Sequence, residues 1–118
     1  MSNADWLAGK KAFATERITV STSAIGGTAA TFNNVGEVSG ASVNQVGGGR
    51  LRATGALVEC FTNPVTYTVD GTTPVGGTTG HALAAGDTTL LVGYQAVNKF
   101  RAIRTGASDG ALQITYYN

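Results

Sequence analysis

A hydrolase built on a nucleophile needs a Ser or Cys, a base to activate it and an acid to orient the base. His81 is the chain's one histidine, and therefore its one imidazole. It follows Gly80 in a glycine-rich stretch with no Gly-x-Ser-x-Gly elbow, so it reads as a hydrogen-bonding loop residue rather than a catalyst. Cys60 is the only cysteine; it can form no internal disulfide, and one Cys with one His does not make a zinc site. It reads as a small buried hydrophobe. Asp70, Asp87 and Asp109 each adjoin a glycine at a turn, where a carboxylate caps its own backbone, and none has a second acid close enough in sequence for a calcium loop. Gly47-Gly48-Gly49-Arg50 lacks the Lys-Ser/Thr that would make it a phosphate cradle. No catalytic, cofactor-binding or metal-ligating residue is assigned, and the expectation is a protein that is not an enzyme.

Arg101 and Arg104 beside Ile103, with Tyr116 and Tyr117, could stack bases or sugars, but that pattern fits an ordinary sheet face or a protein contact better. Lys and Arg number 8 against 7 Asp and Glu, a net charge of +1 with no basic run. The electrostatic footprint of nucleic-acid binding is missing, so no nucleic-acid partner is expected. No stretch approaches the ~18 apolar residues of a membrane helix, and residues 5–16 lack the pattern of a signal peptide, so no membrane partner and manufacture in a cytoplasm are expected. Charged residues make up 13% of the chain, about half the usual quarter. The surface must therefore be polar but largely uncharged.

The elements that hold these residues are mostly strands. Ile18 and Val20 alternate with Thr19 and Ser21; residues 51–61 read as a strand bent at Gly55, with Leu57, Glu59 and Phe61 on one face and Ala56, Val58 and Cys60 on the other. Val65 to Val69 alternates into the Asp70-Gly71 turn. Further strands follow at residues 88–92, 100–105 and 112–117, the last placing Leu112, Ile114 and Tyr116 inward, and residues 94–99 have room for one helical turn. About seven short strands separated by turn signals predict an all-β fold, a small antiparallel β-sandwich (jelly-roll-like) or barrel. The predicted core includes Ile18, Val20, Val58, Val69, Leu90, Ile103, Leu112 and Ile114.

Two segments fall outside this pattern. Residues 1–15 hold most of the good helix formers and read as a short N-terminal arm ahead of a single β domain, 16–118. Residues 36–49, with three consecutive glycines, read as a loop ordered by a partner. Trp6, Leu7 and Phe13 of the arm and Val43 and Val46 of the loop are the expected assembly contacts, being apolar groups in segments unable to build a core of their own.

The second half resembles a group of small β-rich proteins encoded among the virion structural genes of tailed bacteriophages. The resemblance is carried by Tyr67-Thr68-Val69-Asp70-Gly71-Thr72-Thr73-Pro74, Gly80-His81, Ala85-Gly86-Asp87, Phe100-Arg101-Ala102-Ile103-Arg104-Thr105-Gly106 and Leu112-Gln113-Ile114-Thr115-Tyr116-Tyr117. It implies a part of a phage particle, located in the virion and made in the bacterial cytoplasm. A modest core and an uncharged surface suit a module stabilised by docking on a repeated lattice. The expected function is thus a capsid decoration (cement) protein whose partners are the major capsid protein or other virion proteins, and which is itself a homo-oligomer. A neck, tail or fibre component is the alternative, with a carbohydrate-binding module behind it.

Overall fold

The computed structural model describes residues 10–33 and 52–118. Seven strands are found among them: β1 (Ala12–Val20), β2 (Gly55–Phe61), β3 (Val65–Thr68), β4 (His81–Leu83), β5 (Thr88–Val92), β6 (Arg101–Arg104) and β7 (Gly110–Tyr117). Two short helical segments, α1 (Ala29–Phe32) and α2 (Tyr94–Lys99), join them. The strands form two antiparallel sheets, one ordered β1-β7-β2-β5 and the other β4-β3-β6. The fold is an all-β sandwich.

Alternation decides which side of each strand is buried. In β7, Leu112, Ile114 and Tyr116 face inward; in β2, Ala56, Val58 and Cys60 do so, as the two-residue period requires. Ile18 and Val20 extend the same layer from β1. The smaller sheet supplies Val65, Leu83 and Ala102, and Phe100 fills the space beside them. A hydroxyl pair, Tyr67 Oη and Thr89 Oγ1 at 3.1 Å, links the two sheets, and the Tyr67 and Phe100 rings lie 5.7 Å apart. After Val20 the chain crosses from one sheet to the other: the Arg104 amide donates to the Ser21 carbonyl, and Ile25 and Ala102 exchange both backbone bonds.

Several expectations are corrected. Residues 12–15, read as the end of the arm, belong to β1, because Ala12, Ala14 and Thr15 pair with Tyr117, Tyr116 and Thr115. Of the predicted core, Ile18, Val20, Val58, Leu112 and Ile114 are buried, whereas Val69, Leu90 and Ile103 are half-buried. Leu91 and Ala102 take the inward places beside the last two. Where two apolar residues are adjacent, only one can face in, and neighbouring strands choose which. Gly110 opens β7 instead of finishing a turn: a Cβ there would lie 2.6 Å from the Asn63 carbonyl oxygen, so only glycine lets the two backbones approach. Finally β2 begins at Gly55; Arg52 forms an isolated bridge with Asn33 instead of extending the strand.

Candidate interaction surface

The two sheets treat their outer faces differently. On β3, Tyr67 points toward Thr89 in the interior, so Thr66 and Thr68 point outward, yet both are buried, at 2% and 6% exposure. The segment from Asp70 to Thr79 covers them. Pro74 is fully buried, the Gly77 amide donates to Thr66 Oγ1 at 3.0 Å, and Thr68 Oγ1 donates to the Thr72 carbonyl at 2.5 Å. Thr105 Oγ1 meets Thr66 Oγ1 at 2.8 Å, so this buried polar layer has its partners. Asp70 anchors the loop by accepting the Thr72 amide at 3.0 Å, a bond that holds its carboxyl below the ordinary range.

No element among the described residues lies across the outer face of the four-stranded sheet. Register sets its rows. Thr15, Thr115, Leu57 and Leu90 stand side by side across all four strands, and the next row carries Tyr117, Gly55 and Val92. On the other side come Arg17, Gln113, Glu59 and Thr88. Leu57, Leu90 and Tyr117 are half-buried, while Val92 is 55% exposed. Two of the polar side chains at the far side are already engaged: the Arg17 guanidinium lies 4.7 Å from the centre of the Phe61 ring, and Gln113 Nε2 donates to Thr15 Oγ1 at 2.8 Å. The face is therefore an apolar strip toward β5, bordered by threonines and held in register by the sheet. Exposed strips of this kind mark interaction sites more often than chemistry.

Of the expected contact residues, Trp6, Leu7, Val43 and Val46 lie outside the described residues. Phe13 sits in β1, half-buried and packed against the core, beside the irregular register between Ala12 and Ala14. It belongs to the domain, not to a free arm. Phe32 and Asn33 are tied to Arg52, Ala53 and Tyr94. The Ala53 amide donates to the Phe32 carbonyl at 2.8 Å, Arg52 stacks 3.6 Å above the Tyr94 ring, and Asn33 Nδ2 donates to Tyr94 Oη at 3.1 Å.

The residues weighed for chemistry are dispersed. His81 is exposed at the start of β4, its ring 5.4 Å from that of Tyr67, beside a groove shared with Thr68, Asp70 and Thr72. Cys60 is completely buried in the other sheet, its thiol donating to the Asn63 carbonyl at 3.2 Å; burial pushes its pKa up. Asp109 pairs with Arg104 at 2.9 Å, Arg101 donates to the Phe100 carbonyl at 2.7 Å, and Tyr116 is buried. No group of three or more His, Cys, Asp or Glu suited to a metal occurs among the described residues, and no described helix is long and apolar enough to cross a membrane.

Sequence reasoning placed Leu57 on the right face but missed Leu90 and Val92 as surface groups. The signal was the spacing itself, since burying Leu91 obliges Leu90 and Val92 to point the other way. Comparison with known protein families, with curated proteins and with solved structures finds no match to this chain.

Proposed function

We propose that the protein is a non-enzymatic structural component of a phage particle, a decoration protein that docks on the major capsid lattice. The open outer face of the four-stranded sheet carries this reading. One sheet has its outside covered by a loop fastened with hydroxyl hydrogen bonds, and the other presents Leu57, Leu90, Val92 and Tyr117 with nothing described above them. A rigid, nearly uncharged strip of this sort fits an apolar, hydroxyl-rich partner surface repeated many times, where each docking event removes apolar area from water. The resemblance of the second half to phage virion proteins supplies the setting.

Two measurements test the proposal. Band intensities from purified particles should give hundreds of copies per virion; a few to a few dozen would move the protein to the neck, tail or fibre. Purified chain added to undecorated capsids should co-sediment with them, and Leu57→Lys, which sets a charge in the middle of the strip, should abolish that co-sedimentation while keeping the β-type circular dichroism. The expected contribution of the N-terminal residues is tested by deleting residues 2–9, which spares Ala12 and Phe13 of β1. Undiminished decoration by Leu57→Lys would overturn docking through this face.

A further inference from the structure

Two open sheets have four edges, and three of them are visibly blunted. β1 carries Glu16 and Arg17 and a register irregularity between Ala12 and Ala14, and the Thr28 amide and hydroxyl close on the Glu16 carboxylate at 2.9 and 2.7 Å. The outer side of β6 is capped by the Ser21 to Ile25 crossing, through the bonds to Arg104 and Ala102. β4 is three residues long. Charges, bulges, coverage and brevity are the usual ways a protein stops an edge from pairing with another chain.

Among the described residues, β5 has none of these protections. Thr88-Thr89-Leu90-Leu91-Val92 contains no charge and no proline, and it pairs with β2 over its whole length without a register shift. No strand among the described residues lies beyond it. The Cys60 amide donates to the Asp87 carbonyl and the Gly93 amide to the Thr54 carbonyl, so the alternation of an antiparallel ladder turns the amides and carbonyls of Thr89 and Leu91 toward β2. Those of Thr88, Leu90 and Val92 point outward.

We propose that β5 is a homodimerisation edge, pairing antiparallel with β5 of a second copy about a two-fold axis through Leu90. The occupant follows from self-complementarity. Three outward-bonding residues centred on Leu90 place Leu90 opposite its own copy and Thr88 opposite Val92, giving about six backbone hydrogen bonds with no like charges opposed. The two four-stranded sheets become one of eight strands, and Leu57 and Leu90 of both copies line up across the join. The arrangement needs no capsid and stands apart from the proposed function.

The experiment is sedimentation velocity of the full chain across concentrations, with variants at the two exposed positions Thr88 and Val92. Wild type should sediment as a dimer. Thr88→Lys with Val92→Lys sets two pairs of lysines against each other and should weaken dimerisation at least tenfold; Thr88→Glu with Val92→Lys sets each Glu opposite a Lys and should restore it. In a second set, Leu90→Lys and Leu90→Glu should each be monomeric alone and dimeric when mixed. Wild type monomeric at all concentrations overturns the proposal, as does a double-lysine variant that dimerises like wild type. A lysine–glutamate pair that stays monomeric would overturn the register and assign the edge to a strand from a different protein.

Discussion

Tyr116 Oη donates to Glu16 Oε2 at 2.6 Å, joining residues one hundred positions apart in sequence on neighbouring strands. The same oxygen accepts the Thr28 amide, so one half-buried carboxylate fastens β7 to the segment that leads into α1. Gly27 lies directly against the phenol: a Cβ at that position would fall on Tyr116 Oη and reach within 3.3 Å of the Phe32 ring. Gly27→Ala should therefore destabilise by about 1–3 kcal/mol through overpacking, and Tyr116→Phe by about 1–2 kcal/mol through loss of a hydrogen bond to a charged group. The double variant should be less destabilised than the sum, because removing the hydroxyl makes room for the methyl. Urea unfolding of the four proteins measures this coupling, and strict additivity would contradict it.

Truncating Ile114, 1% exposed at the centre of β7, removes packing from both sheets at once. Ile114→Ala should cost about 2–5 kcal/mol, a large share of the total for a domain of this size. The expected result is a thermal transition lowered by roughly ten degrees or more, or no cooperative transition at all.

Alkaline pH should unfold the protein through two buried acids. Burial raises the Cys60 thiol above its ordinary value of 9.0, and burial together with the Glu16 carboxylate raises the Tyr116 phenol above 10.0. In both cases the unfolded chain gives up its proton first. The associated stability is complete below about pH 8.5 and falls as pH rises past the unfolded values. Melting temperatures between pH 7 and 11 should decline, and Tyr116→Phe should flatten the upper part of that decline.

Glycines at two positions separate steric need from mere tolerance. At Gly106 an added methyl would meet nothing within 4 Å, and φ is not positive, so Gly106→Ala should be neutral or stabilising by a few tenths of a kcal/mol. Gly110→Ala meets the Asn63 carbonyl and the Val65 side chain at 2.6 and 2.9 Å and should destabilise by more than about 1 kcal/mol. Chemical denaturation of the two variants side by side reads the difference.

The strands whose apolar residues strictly alternate could be read from sequence down to the face, as Leu112, Ile114 and Tyr116 and the Ala56, Val58 and Cys60 set demonstrate. Leu90-Leu91 and Ala102-Ile103 could not, because local pattern cannot say which of two adjacent apolar residues a distant strand will cover. Ile103 is the larger, yet Ala102 is completely buried beside Tyr67, while Ile103 is half-buried on the opposite face. Residues 12–15 misled for a related reason. Residues 1–15 as a whole hold most of the good helix formers, but for 12–15 the pairing with β7, a hundred or more residues away, overrides propensity. The open face was present in the sequence only as a consequence of those choices.

The β1–β7 ladder is continued by one further pair beyond its strands: Lys11 and Asn118 exchange backbone hydrogen bonds of 3.1 and 2.9 Å. A load applied through these two points pulls antiparallel neighbours apart from one end, so their bonds meet the force one after another instead of sharing it. The sheet that is held together by side-chain burial against heat would thus open like a zipper under tension. A tether attached to a single end would leave that ladder unloaded.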